Sequence, residues 1–163
     1  MHITYPFVPV VAGSLFVVVL LTIKPVIRHI KVKQRRKVLV SSGIRDIDLM
    51  KGRTFEEYLQ AVFIKKGYKV ELTKASKDQG ADLVISQKGT RTVIQAKRYK
   101  SRVGNHAIQE IVASKPFYHA DRAMVVTNSF FTKSAKELAK ANQVELWDRN
   151  KLISELVSAH VKQ

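Results

Sequence analysis

"ADLVISQKGTRTVIQAKRY", residues 81–99, reads as two strands joined at Lys88 and Gly89. Leu, Val and Ile fill the first arm and Thr, Val and Ile the second, and a Lys-Gly pair between such runs suits a two-residue hairpin turn. That turn sets the register: Gln87 faces Thr90, Val84 faces Val93, Leu83 faces Ile94 and Ala81 faces Ala96. It also sets Asp82 opposite Gln95. Side chains alternate along a strand, so Lys97 shares the face of Gln95. A slip of one residue would turn Asp82 away and spoil the apolar matching. An acid, an amide and an ammonium therefore gather at the open end of the hairpin, where Val or Ile would pack better.

The flanking segments supply the layers around this hairpin. "TFEEYLQAVFIKK", residues 54–66, carries Phe55, Leu59, Val62 and Phe63 on one helical face and has Gly67 as its stop. Thr54 and Glu57 have the spacing of a capping box. "YKVELT", residues 68–73, is a strand, and "KASKDQG", residues 74–80, a polar loop in which Asp78 and Gly80 shape the approach to the hairpin, Gly80 through a positive φ. "NHAIQEIVASKPFY", residues 105–118, predicts a helix capped by Asn105 with Ile108, Ile111 and Val112 inward. "RAMVVTN" is a buried strand, "TKSAKELAKANQ" a helix starting at Thr132, "VELWD" a short strand with Trp147 in the core, and "KLISELVSAHV" a closing amphipathic helix. Helix, three strands, helix, strand, helix, strand, helix is the order of an α/β domain, a mixed central sheet flanked by helices on both faces.

The N-terminal part differs in kind. Ile3 to Ile23, "ITYPFVPVVAGSLFVVVLLTI", has no charged side chain, and at 1.5 Å per residue it spans roughly 30 Å, the thickness of a hydrocarbon core. No Lys or Arg precedes it and no small-residue cleavage site closes it, so residues 1–23 predict one transmembrane helix rather than a signal peptide. Lys24, Arg28, Lys31, Lys33, Arg35, Arg36 and Lys37 follow directly. Cationic flanks stay on the cytoplasmic side, which predicts a single-pass protein of the cell membrane with its domain in the cytoplasm. Residues 24–43 form this basic juxtamembrane region, grip anionic lipid and lead into a linker. The break at Ser41, Ser42 and Gly43 within "VSSGIRDIDLMKG", residues 40–52, sets the start of the domain at residue 44 and its extent at 44–163.

Charge and composition narrow the chemistry. Twenty-nine Lys and Arg against 13 Asp and Glu give a net charge of +16 over 163 residues, which points to an anionic partner, nucleic acid or a lipid surface. Cysteine is absent, so disulfides and thiolate metal sites are excluded and any metal sits on oxygen or imidazole. The Asp82, Gln95 and Lys97 spacing by itself is met equally by a satisfied polar pair. Its chemistry suits more: a hard cation such as Mg²⁺ takes carboxylate and carbonyl oxygens, and Asp82 with the Gln95 amide oxygen offers two. Lys97 beside them is placed to orient water and to balance charge on a phosphodiester.

"FEEYL", "GYKVELTKASKDQGADLVI", "VIQAKRY", "VGNHAIQEI" and "VVTNSFFTKSAKELA" occur in this order. With them the chain resembles, over residues 44–155, the Mrr-like restriction endonucleases of the PD-(D/E)XK nuclease superfamily. The resemblance implies a restriction-endonuclease-like sheet with its site at a splayed hairpin. It also implies Mg²⁺, with Mn²⁺ able to substitute, and hydrolysis of double-stranded DNA as a type II or IV restriction-like enzyme acting on modified or foreign DNA; a homodimer is compatible with it. Asp82 matches the metal-binding aspartate, Gln95 the first position of the (D/E)XK element, Lys97 its lysine, and Glu56 the acid that approaches the metal from the first helix, while Glu57 stays with the cap. Gln95 stands where the broad superfamily has an acid, although the Mrr branch is known for Gln there. An amide binds Mg²⁺ more weakly than a carboxylate, so Glu56 supplies the missing charge and one metal is favoured over two. Lys74, Lys77, Arg98, Lys100 and Arg102 flank the hairpin and suit sequence-independent phosphate contacts. Gln109, His106 and His119 are read as surface residues. Two rivals stay open: a nuclease fold that tethers DNA without turnover, and a scaffold whose basic surface meets lipid.

Overall fold

The computed structural model describes residues 23–35, 38–39, 41–73 and 79–161. Its two compact units are Met1–Val38 and Leu39–Gln163. In the first, residues 23–35 are helical. The expected membrane span lies outside the described residues except for Ile23, and no helix among the described residues is long and apolar enough to cross a membrane. Arg36, Lys37, Lys74, Lys77 and Asp78 also lie outside them.

The second unit is built around a five-stranded sheet in the order β1-β2-β3-β4-β5, with β1 Lys69–Leu72, β2 Leu83–Gln87, β3 Thr90–Lys97, β4 Arg122–Thr127 and β5 Val144–Trp147. The first three strands are antiparallel and the last two run parallel to β3. Five helices among the described residues accompany them: α1 Ile44–Leu49, α2 Gly52–Lys65, α3 Asn105–Phe117, α4 Lys133–Ala141 and α5 Arg149–Val161. This is the mixed α/β sheet that the pattern predicts. Its parallel half follows from the two helical crossovers, α3 and α4, each of which returns the chain to start the next strand from the same end.

The hairpin forms in the expected register from Gln87–Thr90 to Leu83–Ile94. Lys88 at φ 50° and Gly89 at φ 81° supply the two left-handed residues of a tight turn that follows the strand twist. The expected Asp82–Gln95 and Ala81–Ala96 pairs do not form, because the ladder ends at Leu83–Ile94, the Asp82 amide also goes to the Ile94 carbonyl, and Ala81 is buried on the opposite side of the sheet from Ala96. Alternation along β2 thus breaks at Asp82.

Each face of the sheet carries its own core. On one, Leu83, Ile85, Ile94, Met124 and Val126 meet Phe55, Leu59, Val62 and Phe63 of α2 and Leu152 of α5. There Trp147 stacks on Phe63 with ring centroids 5.1 Å apart. On the other, Val84, Val93, Ala123 and Val125 meet Ala107, Ile108 and Ile111 of α3 and Ala135 and Ala139 of α4. These stripes recur at three- and four-residue spacing on the helices and at two-residue spacing on the strands, so one sheet is buried on both faces.

Helix ends show where local signals compete. The Thr54–Glu57 pair does not cap α2, because the helix starts three residues earlier, with Lys51 as N-cap and the Phe55 amide donating to the Lys51 carbonyl at 3.0 Å. Asn105 likewise is the first helical residue of α3 behind Gly104, not its cap. Thr132 does cap α4, accepting from the Ala135 amide at 3.1 Å. Gly67 ends α2 at φ 87°, where Tyr68 N donates to Phe63 O and Gly67 N to Ile64 O, both at 3.0 Å, a paired closure that a left-handed residue permits.

Candidate active site

The site begins where β2 leaves β3. Asp82 donates its amide to the Ile94 carbonyl at 2.9 Å, but its side chain then takes over from the backbone: Oδ2 accepts the Ala96 amide at 2.7 Å. A carboxylate thus stands where the next ladder carbonyl would stand, against the peptide that joins Gln95 to Ala96. Thr73, just past β1, holds this departure, its hydroxyl donating to the Ala81 carbonyl at 2.7 Å and the Asp82 carbonyl at 3.0 Å. Gly80 holds it from the other side. At φ 84° a side chain is disfavoured there, and a Cβ would stand 2.9 Å from the Glu110 carbonyl oxygen, inside van der Waals contact.

Gln95 and Lys97 project from the same face of β3 and meet Glu110, on the first turns of α3. Gln95 Nε2 donates to Glu110 Oε2 at 2.6 Å, and Lys97 Nζ donates to the same oxygen at 3.1 Å. His106, one turn back, sets Nδ1 3.3 Å from Glu110 Oε1. Burial pushes the Glu110 carboxyl up, but the bonds from Gln95 and Lys97 and the charges of Lys97 and His106 together hold it below the ordinary carboxylate range. Gln95 is 3% exposed, and its Oε1 is buried with no hydrogen-bond partner among the described residues. An amide oxygen in that position is costly unless something electropositive meets it.

The sequence-derived set is therefore brought together in part. Gln95 and Lys97 meet at Glu110, and Asp82 accepts the amide of Ala96, the residue between them. Glu56 sits on α2, whose buried side chains pack against the opposite face, and its carboxylate accepts from Arg53 Nη1 at 2.7 Å. Arg98 alternates away from Lys97, toward Asp48. Lys100 is exposed, and Arg102 donates to the Phe131 carbonyl at 3.3 Å with its guanidinium 5.8 Å from the Phe130 ring centroid. Gln109 is exposed, lining a shallow groove with Leu138 and Asn142. Glu110 escaped the sequence reading. Two signals pointed to it: its i,i+4 relation to His106 and its place beside the Ala107, Ile108, Ile111 stripe.

The donors suit a hard cation. Asp82 offers a carboxylate and Gln95 an unpartnered oxygen, the ligand types that Mg²⁺ prefers. Among the described residues no group of three or more His, Cys, Asp and Glu is arranged to hold a metal. A cation here would depend on the amide oxygen, with water completing its shell.

Comparison with known proteins agrees with the geometry. A family described as restriction endonuclease, of the Mrr catalytic type, matches residues 47–156. Among solved structures, the fold is similar to a protein of unknown function, AF1548, with TM-score 0.54 and 17% identity over 63% of this chain and 63% of that one. It is also similar to the DNA modification-dependent restriction endonuclease AspBHI, with TM-score 0.56 and 18% identity over 78% of this chain and 36% of that one. At these identities the likeness concerns the fold, and the chain spans less than two thirds of either relative. No curated protein matches it significantly.

Proposed function

Because the chain belongs to the Mrr-type restriction endonuclease family, we propose that it is a Mg²⁺-dependent endodeoxyribonuclease that hydrolyses phosphodiester bonds of double-stranded DNA. One observation carries this most directly: at the splayed end of the hairpin the Gln95 Oε1 is buried with no hydrogen-bond partner among the described residues, and the amide of the next residue, Ala96, is taken by the Asp82 carboxylate. Asp82 and Gln95 would hold the cation, with Mn²⁺ able to replace Mg²⁺. When bound, it supplies positive charge beside the scissile phosphate and lowers the pKa of water. Lys97 brings an ammonium to the same place, where it balances the negative charge that builds on the phosphate oxygens during attack. Arg98, Lys100 and Arg102 attract the DNA backbone without reading its bases. We assign Glu56 no role, since Arg53 engages its carboxylate on a helix that packs against the other face.

The task that this family suggests is restriction of modified or foreign DNA. AspBHI, by its description, depends on DNA modification. The apolar run at residues 3–23 and the cationic flank after it support a membrane-anchored form of this nuclease, with the catalytic unit in the cytoplasm. A second reading has one observation in its favour: Gln95 is neutral and Lys97 is already engaged by Glu110. On that reading the fold tethers DNA without cutting it.

Supercoiled plasmid, unmodified and methylated, incubated with the full chain while Mg²⁺ or Mn²⁺ is titrated separates the two. We expect nicked and linear DNA from the wild type in the presence of metal and intact plasmid from Asp82→Ala. DNA binding without cleavage of either plasmid at any metal concentration would replace the nuclease with the tether.

A further inference from the structure

Glu110 is, among the described residues, the carboxylate that touches both Gln95 and Lys97, and its position explains how an amide can serve in this site. The two ends of a glutamine side chain are nearly the same size and differ in chemistry, one donating and one accepting. Which end faces a cation is therefore decided by what the other end meets. A carboxylate only accepts, so Gln95 turns Nε2 to Glu110 Oε2 at 2.6 Å, and Oε1 is left pointing elsewhere with no partner. Lys97 Nζ, 3.1 Å from the same Oε2, is fixed by the same atom. The backbone of this helical turn also lies against Gly80, so closely that a Cβ there would stand 2.9 Å from the Glu110 carbonyl. The segment that leads into Asp82 is thus seated on the turn that carries Glu110.

We propose that Glu110 is the positioning residue of this site: its carboxylate orients the Gln95 amide so that Oε1 faces the cation. From the helix it also contributes the negative charge that an acid at position 95 would contribute from the strand. This inference rests on the metal-dependent nuclease reading, and it makes a demand that neither a direct ligand nor a purely structural residue would make. A carboxylate has no wrong way round, so a chain with Gln95→Glu no longer needs Glu110 to orient it.

The test is a double-mutant cycle read by Mn²⁺ affinity, with electron paramagnetic resonance counting free Mn²⁺ over the full chain without DNA. Glu110→Gln, nearly isosteric, is compared in the wild-type background and in the Gln95→Glu background, with circular dichroism confirming the fold of each. We expect Glu110→Gln to weaken Mn²⁺ binding about tenfold or more beside Gln95, as loss of an outer-sphere partner does, and less than about threefold beside Gln95→Glu. Equal losses in both backgrounds would make Glu110 a direct ligand or a structural residue and overturn the proposal, and no loss in either would overturn it as well. A wild type that binds no Mn²⁺ overturns both this and the metal-dependent reading. Plasmid cleavage by a wild type whose Mn²⁺ affinity ignores Glu110 overturns this inference alone.

Discussion

Lys97 has two partners to serve. At rest its ammonium donates to Glu110 at 3.1 Å; in the proposed reaction it must face the phosphate. Its side chain belongs to neither core cluster, and the Glu110 carboxylate it would leave behind is 32% exposed and open to water, so stability should change by about 1 kcal/mol or less. Lys97→Ala is therefore expected to reduce metal-dependent plasmid cleavage by roughly a hundredfold or more, the scale for loss of one charge-stabilising group. The melting temperature should shift by only a few degrees. Cleavage at wild-type rate would remove Lys97 from the mechanism. Asp82 takes its place past the end of the ladder, by accepting the Ala96 amide, but the shared face of Gln95 and Lys97 was legible because two-residue periodicity sets it with no knowledge of the rest of the fold. Glu110 was not, because the phase of α3 against the sheet is set by Ile108 and Ile111 burying themselves. Helical periodicity gives the stripe, and only packing shows which strand residues lie beside it.

Among the elements, strands and long helices were legible, whereas α1 was not. Its six residues bury only Ile47, too little amphipathic signal to distinguish a short helix from a linker. The anchor is long-range: Arg149 at the start of α5 reaches Asp48 through Nη1 to Oδ1 and Nη2 to Oδ2, each at 2.8 Å. Asn128, just past β4, donates to Asp48 Oδ1 at 2.8 Å and accepts the Tyr99 amide at 2.9 Å, two residues beyond Lys97. The cluster thus joins α1 and α5 to the strand ends that support the site. Arg149's bonds, with help from Asn128, hold the Asp48 carboxyl below the ordinary aspartate range despite its burial. A folded-state pKa below the unfolded value gives stability that is complete above the unfolded pKa, about 4, and is lost as pH falls through the lower folded value. Both partners are partly solvated, so Asp48→Asn should cost about 1 kcal/mol at neutral pH, the upper end for pairs of this exposure. Urea unfolding at pH 7 and again near pH 3 checks this: the gap between wild type and variant should shrink on acidification, and a constant gap would detach it from the Asp48 charge.

For the whole molecule, a net charge of +16 is an attraction that any polyanion can satisfy, so charge alone does not separate DNA from lipid. Salt dependence and competition do. Each phosphate neutralised by Lys or Arg releases a counterion, giving a slope of about −0.9 in log K against log salt for each contact on duplex DNA. Lys100 and Arg102 lie a few residues beyond Lys97, Lys100 exposed and Arg102 held by the Phe131 carbonyl at 3.3 Å. Lys100→Ala and Arg102→Ala should each weaken binding to unrelated duplexes alike and reduce the slope by about one, because contacts of this kind place the protein on DNA without reading it. Fluorescence anisotropy of labelled duplexes across a salt series measures both quantities. If the affinity proves indifferent to salt, the basic face does not hold DNA. If the wild type and the two variants bind duplex equally tightly and bind anionic vesicles equally tightly, those cations serve neither DNA nor lipid, and the polyanion-binding surface lies elsewhere on the chain.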